Sequence, residues 1–471
     1  MDREPVAELL GSVHLVGIGG AGMSALARVL LARGATVSGS DIKESRGVAA
    51  LRALGARIAV GHGAENVDGA GAVVVSSAIP GSNPEVLAAR EHAIPILQRA
   101  QVLALLMRER RGIAVAGTHG KTTTTSMIAM VLRHAGLDPT FLIGGDLNEV
   151  GTNAYAGGGE WLVAEADESD GSLLWLAPEI AVINNVEADH LDYYRDEREI
   201  RETFVAFAHS IPEMEGAVVL GIDDPGIASL RERIARTTVT FGTDPSADWS
   251  GEVLERGPSG QRVRVRHRGE PVGELLLGVP GAHNVRNALA ALATSSLVGV
   301  PFDVAAEELA SFGGVQRRFQ LRGNVGGVTV IDDYAHHPTE VRVTLEAARE
   351  QGWPRVVAVF QPHRYSRTQL LGRELGAALA GADLAVITDV YGAGEQPVPG
   401  VTGKSVVDGL LAARPRARVA YLPKRGEVAD FVAGRVDPGD LVLTIGAGDI
   451  TMLADEVLQA LTERATRKDA R

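Results

Sequence analysis

Cysteine is absent from the 471 residues, which excludes disulfides, zinc-thiolate sites and thiol nucleophiles. No run of about 18 apolar residues occurs, so no segment is expected to span a membrane. The first ten residues, M-D-R-E-P-V-A-E-L-L, carry acids and no apolar stretch, which argues against a secretory signal. Positive charge is in deficit: 46 Lys and Arg against 59 Asp and Glu leave a formal net charge of −13. Such a balance releases no phosphate counterions and argues against a nucleic-acid or anionic-membrane partner, so local basic residues must hold any anion. A cytoplasmic protein fits these absences. What is present is ordinary for a globular chain, with 45% hydrophobic and 22% charged residues. The length exceeds a single core and sets an expectation of about three domains.

From Val13 short Val- and Ile-rich runs alternate with Ala- and Leu-rich helical patterns, the signature of a parallel sheet covered by helices. The charged knot R-E-R-R at Arg108 to Arg111 reads as a linker, so a first domain is expected over 1–109. A second, 110–321, repeats the rhythm with a helix from Lys121 to His134 and strands at W-L-V-A-E-A and I-A-V-I-N-N-V. Beyond Phe241 the run R-V-R-V-R-H-R-G-E-P-V-G-E-L-L-L-G alternates with period two, which suggests an antiparallel patch. A helix from Asn284 to Val298 follows. A third domain, 322–471, carries strands at V-T-V-I-D-D-Y, R-V-V-A-V-F, L-A-V-I-T-D-V and D-L-V-L-T-I-G-A-G in a Rossmann-like pattern. The tail beyond Glu463 is expected to be frayed helix.

The stretch V-A-G-T-H-G-K-T-T-T-T, Val115 to Thr125, reads as a phosphate loop. Gly117 and Gly120 let the backbone wrap an oxyanion, with Thr118, His119 and Thr123 in the same turn and helix start. Lys121 adds a point charge and Thr122 a hydroxyl for a magnesium ion. The strict motif needs a glycine where Val115 stands, so this is a shortened form, and a glycine turn capping a buried helix is the competing reading. The N-terminal G-I-G-G-A-G, with Gly17, Gly19, Gly20 and Gly22, follows a strand, opens a helix at Met23 and has Asp41 at the end of the next strand. That fingerprint reports a diphosphate on a helix N-terminus. A dinucleotide, another nucleotide diphosphate and plain packing glycines all remain open to it.

E-A-D-E-S-D, opened by Glu165, and N-N-V-E-A-D-H, closed by His190, each end a strand, where open α/β sheets build their sites. A carboxylate there could share a metal ion with Thr122, and His190 could hold a second one; equally, such acids cap helices and solvate turns. Six of the 12 histidines, His119, His190, His283, His336, His337 and His363, fall in glycine- or acid-rich turns. Arg317, Arg318, Arg364 and Arg367 sit in similar turns and supply the local cations an acidic protein needs for anionic substrates.

Together these motifs resemble the Mur ligase family, the ATP-dependent amide-forming enzymes of peptidoglycan synthesis. The resemblance runs through H-L-V-G-I-G-G-A-G-M-S, A-G-T-H-G-K-T-T-T, E-A-D-E-S-D, N-N-V-E-A-D-H-L-D, G-A-H-N-V-R-N-A-L-A-A, Q-R-R-F, D-D-Y-A-H-H-P-T-E, F-Q-P-H-R-Y-S-R-T and T-I-G-A-G-D-I, nearly the whole chain in the family's order. It implies an α/β fold in three domains: an N-terminal Rossmann-like domain for a UDP-sugar, a central P-loop ATPase with a parallel sheet plus a small antiparallel patch, and a C-terminal Rossmann-like domain for the amino acid. The nearest member joins L-alanine to UDP-N-acetylmuramate; a recycling member that attaches an intact tripeptide to the same sugar ranks second. The implied partners are UDP-N-acetylmuramate, L-alanine and ATP with Mg2+, or Mn2+ in its place, in a monomer or homodimer.

The resemblance also distributes roles. Lys121 and Thr122 match the phosphate-loop residues, Glu165 the first metal ligand and His190 the second-metal ligand. His283, Asn284 and Asn287 match the adenine-side motif, and Arg318 the arginine near the terminal phosphate. Asp332 and Asp333 lie where the last domain would reach the nucleotide, and Tyr334, His336, His363, Arg364 and Arg367 match positions expected around L-alanine. Gly17, Gly19, Gly20, Gly22, Met23, Asp41, Ser76 and Ser77 fall to the UDP-sugar. The chain departs from several relatives in E-T-F-V-A-F, which lacks the lysine that they carbamylate for the second metal. Two readings outside the family compete: an NAD-dependent oxidoreductase, which has no use for the second phosphate loop, and a non-catalytic nucleotide-binding regulator, against which Lys121, Thr122 and Glu165 count.

Overall fold

The computed structural model describes residues 9–148, 150–190, 193–213, 216–257 and 260–469, with side chains to 466. The first eight residues, the final L-D of N-N-V-E-A-D-H-L-D and the last two residues lie outside that description. Three sheets carry the described residues. The first joins β1 (Ser12–Val16), β2 (Thr36–Asp41), β3 (Arg57–Val60), β4 (Ala72–Val75) and β5 (Ile96–Gln98) in the order β3-β2-β1-β4-β5, every pair parallel. Order reverses between β1 and β4, so a crevice opens beyond their C-terminal ends, where open α/β sheets bind ligands. The charged knot is a short joint between the helix Arg99–Arg108 and β6 (Arg111–Ala116).

The second sheet adds to β6 the strands β7 (Thr140–Leu142), β8 (Ala154–Tyr155), β9 (Trp161–Glu165), β10 (Ile180–Ile183), β11 (Ala217–Gly221), β12 (Thr237–Gly242), β13 (Trp249–Gly257), β14 (Gly260–His267) and β15 (Glu270–Leu277). Their order is β15-β14-β13-β12-β11-β10-β6-β9-β7-β8. The buried residues of β6, β9 and β10 form continuous apolar runs, as strands covered on both faces do. The period-two run makes β14 and β15, joined through Arg268 and Gly269, both at positive φ; a link of two such residues connects antiparallel strands. Its neighbour β13 nevertheless joins β12 in parallel.

The third sheet runs β16 (Gln320–Val325), β17 (Val328–Asp333), β21 (Asp440–Ile445), β18 (Arg355–Phe360), β19 (Leu384–Ile387), β20 (Val419–Tyr421). It is parallel except for the edge strand β16, which pairs antiparallel with β17 and spans the expected boundary at 321/322. Val357 and Val359 pack on one face with Val330 and Val442, while Val356, Ala358 and Phe360 pack on the other with Leu441 and Leu443. That period of two, apolar on both sides, is what a doubly covered strand requires. The C-terminal helix continues from Thr451 to Asp469. By internal packing the chain divides into two compact units, Met1–Glu252 with Val263–Leu275 and Arg286–Phe312, and Val253–Arg262 with Leu276–Val285 and Gly313–Arg471. No helix among the described residues is long and apolar enough to cross a membrane.

One charged cluster in the first sheet's layer affects stability. Glu85, fully buried, accepts from Ser40 at 2.7 Å and Asn66 at 2.6 Å, and lies 3.1 Å from His62 and 3.7 Å from His14. Burial would raise its pKa, but hydrogen bonds from His14, Asn66 and Ser40 outweigh burial and hold it down at about 2. Glu85→Ala is expected to cost about 1–3 kcal/mol, since it leaves buried hydrogen-bond donors without their acceptor. Because the folded pKa is depressed, Glu85 stabilises fully above its ordinary value of 4.5 and loses that contribution as pH falls toward about 2. Chemical denaturation of wild type and variant between pH 7 and 3 checks both statements: the gap should narrow with acid.

Candidate phosphate-loop active site

β6 ends at Ala116 and a helix begins at Lys121, so Gly117 to Gly120 form the turn between them. The helix opens K-T-T-T-T-S, a β-branched run of poor intrinsic propensity that forms because it is buried, with Thr125 and Ser126 donating to the carbonyls of Lys121 and Thr122. Gly117 has φ 132° and Gly120 φ 80°, conformations that side chains resist. A Cβ on Gly120 would also stand 2.5 Å from Asn287 Oδ1. Gly120→Ala is therefore expected to misplace the loop and cut turnover by roughly 100-fold, the order of loss when one oriented donor is removed; steady-state phosphate release measures it.

The segment after β10 straps the turn from outside. Asn185 Oδ1 accepts from the His119 amide at 2.8 Å, and the Thr118 amide donates to the Asn185 carbonyl at 3.2 Å. Thr118 Oγ1 accepts from the Glu187 amide at 2.9 Å. Asn184 Nδ2 reaches the His119 carbonyl at 3.3 Å and Thr124 Oγ1 at 3.0 Å, and Thr124 in turn donates to Asn287 at 3.2 Å. The loop is thus preorganised, its backbone fixed by amide side chains. Thr122 and Thr123 are buried just inside it.

Lys121 Nζ donates to Gly117 O at 2.6 Å, Thr118 O at 3.2 Å and Glu168 Oε1 at 2.6 Å. Glu168 is 3% exposed and also lies 3.8 Å from His190 Nε2. Burial raises the Glu168 carboxyl to about 7 against the opposing charge of Lys121. Burial would lower Lys121, but the carboxylates of Glu168, Asp167 and Glu165 outweigh it and keep the ammonium charged. Glu165, at the end of β9, accepts from the Gly144 amide at 2.6 Å. His190 is held at φ 55°, a strained position for a side chain, beside Asp189. Lys121, Glu165, Glu168 and His190 therefore all belong to strand-end turns of one sheet.

In the first sheet the Gly17 and Ile18 amides donate to the Ser40 carbonyl at 2.8 and 2.9 Å. The Gly19 amide donates to Asp41 Oδ2 at 2.9 Å, so Asp41 braces the glycine turn itself. Gly20 caps the helix Ala21–Ala32, Arg99 packs against Gly22, and Met23 lies in the core. Ser76 and Ser77 follow β4, across the β1/β4 crevice from that turn. Arg99 also pairs with Asp167 at 3.2 Å, tying this layer to the turn after β9.

In the second compact unit, Asn284 donates to the Pro280 carbonyl at 2.7 Å, and His283 stands beside Gly281 at the start of the helix Ala282–Val298. Asn287, one turn later on the same helix, belongs to the first unit. Arg317 and Phe319 both have positive φ, and Arg317 and Arg318 place their guanidinium groups 4.7 and 5.2 Å from the Tyr334 ring centroid. Two carboxylates fix this turn. Asp332, fully buried, accepts from Thr444 and Thr451 at 2.7 Å each and pairs with Arg317 at 3.3 Å. Asp333 accepts from the Phe319 and Ala335 amides at 2.7 and 2.8 Å, and burial raises its carboxyl to about 6. His336 and His363 lie 5.9 Å apart by ring centroid, with Tyr334 5.2 Å from His336. Burial lowers His336 to about 4 and His363 to about 3, the latter helped by His336, Arg367 and Arg364. His337 caps the helix Pro338–Glu350.

Profiles described as Mur ligase family, catalytic domain; Mur ligase middle domain; and Mur ligase, glutamate ligase domain match residues 12–111, 115–295 and 317–448. The chain belongs to the Mur ligase family. This Mur ligase is 50% identical to a UDP-N-acetylmuramate–L-alanine ligase of Mycobacterium sp. (strain JLS), over 99% of the chain and 98% of the relative. It is 48% identical to one of Anaeromyxobacter sp. (strain Fw109-5), over 95% and 97%. Among solved structures it resembles the UDP-N-acetylmuramate-alanine ligase of Thermotoga maritima with a TM-score of 0.82 and 33% identity, over 96% of this chain and 99% of that one. A murein peptide ligase of Psychrobacter arcticus follows at a TM-score of 0.72 and 26% identity, over 95% and 98%.

Four contributors to this Mur ligase's site carry no role in the sequence analysis. Asn184, Asn185 and Glu187 strap the phosphate loop, and Glu168 meets Lys121 and His190. All lie in motifs singled out there, but the choice between Glu165 and Glu168 needs the side-chain directions that the turn after β9 imposes.

Proposed function

We infer that this Mur ligase joins L-alanine to the lactyl carboxylate of UDP-N-acetylmuramate at the expense of ATP. The observation that carries this is the 50% identity, over 99% of the chain, to a relative of that name. We propose that residues 1–109 take the UDP-sugar on the glycine turn and Ser76 and Ser77, that 110–321 take ATP on Gly117 to Thr123, and that 322–471 take the amino acid. A carboxylate is a poor acyl donor, so phosphorylation by ATP must come first; the amine of L-alanine then attacks the acyl phosphate, giving amide, ADP and phosphate. Phosphoryl transfer is mostly positioning and charge neutralisation, which Lys121 and Arg318 supply. Asp332 and Asp333 act here by fixing the turn that presents Arg317 and Arg318. Mg2+ suits the hard donors Thr122 and Glu165, joined by the buried Glu168 Oε2, which has no hydrogen-bond partner, and His190 offers a nitrogen nearby. When bound it would neutralise phosphate charge.

Arg364 and Arg367 supply charge for the alanine carboxylate, beside Tyr334, His336 and His363. Neutral His336 must donate Nδ1–H to the Tyr334 carbonyl, 3.0 Å away, which leaves Nε2 as a hydrogen-bond acceptor for the amine of alanine. Because both histidines titrate near pH 3–4, their ring carbon resonances in NMR should stay flat from pH 8 to 5 and shift only in stronger acid. A transition near 6.5 in either would contradict the burial that keeps these rings neutral. The activity itself is tested by mass spectrometry with L-alanine, glycine, L-serine and the tripeptide in competition. The expected product is the L-alanyl UDP-sugar; if none of the four is joined, the ligase reading fails, and preferential joining of the tripeptide favours the recycling reaction.

A further inference from the structure

Tyr391 has no part in the reaction as described, yet its place is fixed with unusual completeness. Its amide donates to the Pro362 carbonyl at 2.8 Å and its carbonyl accepts from the Arg364 amide at 2.8 Å, so a parallel bridge pins it to the turn holding His363 and Arg364. Arg364 pays for that bridge with φ 68° and ψ 138°, a conformation that side chains seldom adopt and that marks functional turns. Behind the ring stands Gly448, where a Cβ would lie 2.6 Å from Tyr391 Cγ. In front, the Tyr391 ring stacks on His363 at 5.9 Å and an interplanar angle of 13°, extending the file Tyr334, His336, His363 by one member. Tyr391 is nevertheless 37% exposed. A rigid aromatic, backed by backbone and open on its remaining side, is a wall.

We propose that Tyr391 closes the amino-acid site beside His363 and sets the size of side chain accepted. This rests on the assignment of L-alanine to Tyr334, His336, His363, Arg364 and Arg367. Those five groups supply charge, a hydrogen-bond acceptor and the three rings of the file, and the file continues past His363 only in Tyr391. Tyr391 can limit a side chain there, because neither its backbone nor the chain behind it can retreat. Apolar pockets discriminate one methylene by roughly 10- to 200-fold, so removing the wall should erase discrimination of that order.

The test compares kcat/KM for L-alanine and L-2-aminobutyrate, which differ by one methylene, in the full-length enzyme. Tyr391→Ala is expected to raise the ratio of aminobutyrate to alanine by roughly tenfold or more, while KM for ATP, which reports an intact phosphate site, stays unchanged. Tyr391→Phe keeps the ring and should keep the wild-type ratio. A Tyr391→Ala enzyme that loses kcat/KM equally for both amino acids would make the ring a mere support for His363 and overturn the proposal. A wild-type enzyme that joins neither amino acid would instead sink the underlying assignment.

Discussion

Lys121→Ala is expected to lower ATP-dependent turnover by roughly 1,000-fold, at the upper end of what loss of one preorganised electrostatic group costs. The ammonium is the cation of the loop, held by Gly117 O, Thr118 O and Glu168 within 3.2 Å. Its removal also leaves Glu168 buried without its cation. That carboxyl stands near 7 with Lys121 opposing burial, so without the lysine it rises further and is neutral at pH 7. The variant therefore buries a neutral acid, not a bare charge, and should fold. Calorimetric titration with UDP-N-acetylmuramate should consequently show near-normal binding. Turnover close to wild type would remove Lys121 from the mechanism.

Asp332→Ala should be the most damaging change in the second compact unit. Asp332 is fully buried and holds Thr444, Thr451 and Arg317 at once. Deleting it removes an acceptor shared by two hydroxyls and a guanidinium, of which Thr444 keeps the Ile331 carbonyl and Arg317 the Gly446 carbonyl; breaking the buried ion pair costs about 3–5 kcal/mol. Arg317 and Phe319 hold positive φ only while the turn is over-determined, so the Q-R-R-F segment should relax and carry Arg318 with it. The expected readings are a lowered denaturation midpoint and at least a tenfold fall in kcat on the order of one misplaced charge, with Asp332→Asn intermediate because it keeps one acceptor. An Asp332→Ala protein of wild-type stability would contradict the place given to this carboxylate.

Periodicity alone located the helix Lys121–His134 and the buried strands β6, β9, β10, β17, β18 and β21, because runs covered on both faces are written into local sequence. The edge strand β16, Q-L-R-G-N-V, was read as a boundary: its exposed alternation carries little apolar signal, and its identity comes from pairing with β17. The site divides the same way. Glycine turns at strand ends were visible as motifs, whereas the strap of Asn184, Asn185 and Glu187 across the loop depends on β10 lying beside β6, a pairing no local pattern states. Met23, grouped with the UDP-sugar residues, belongs to the core packing of its helix. Asp332 and Asp333, matched by motif to the nucleotide side, are buried beneath their own turn, which no local pattern states.

The measurement that bears most directly on the central claim follows one oxygen. UDP-N-acetylmuramate labelled with 18O in its lactyl carboxylate is incubated with ATP, L-alanine and Mg2+, and the released phosphate is weighed by mass spectrometry. Attack of that carboxylate on the terminal phosphate, followed by amide formation, carries one labelled oxygen into each phosphate; this is the expected result. Amide formed with unlabelled phosphate would contradict activation through an acyl phosphate.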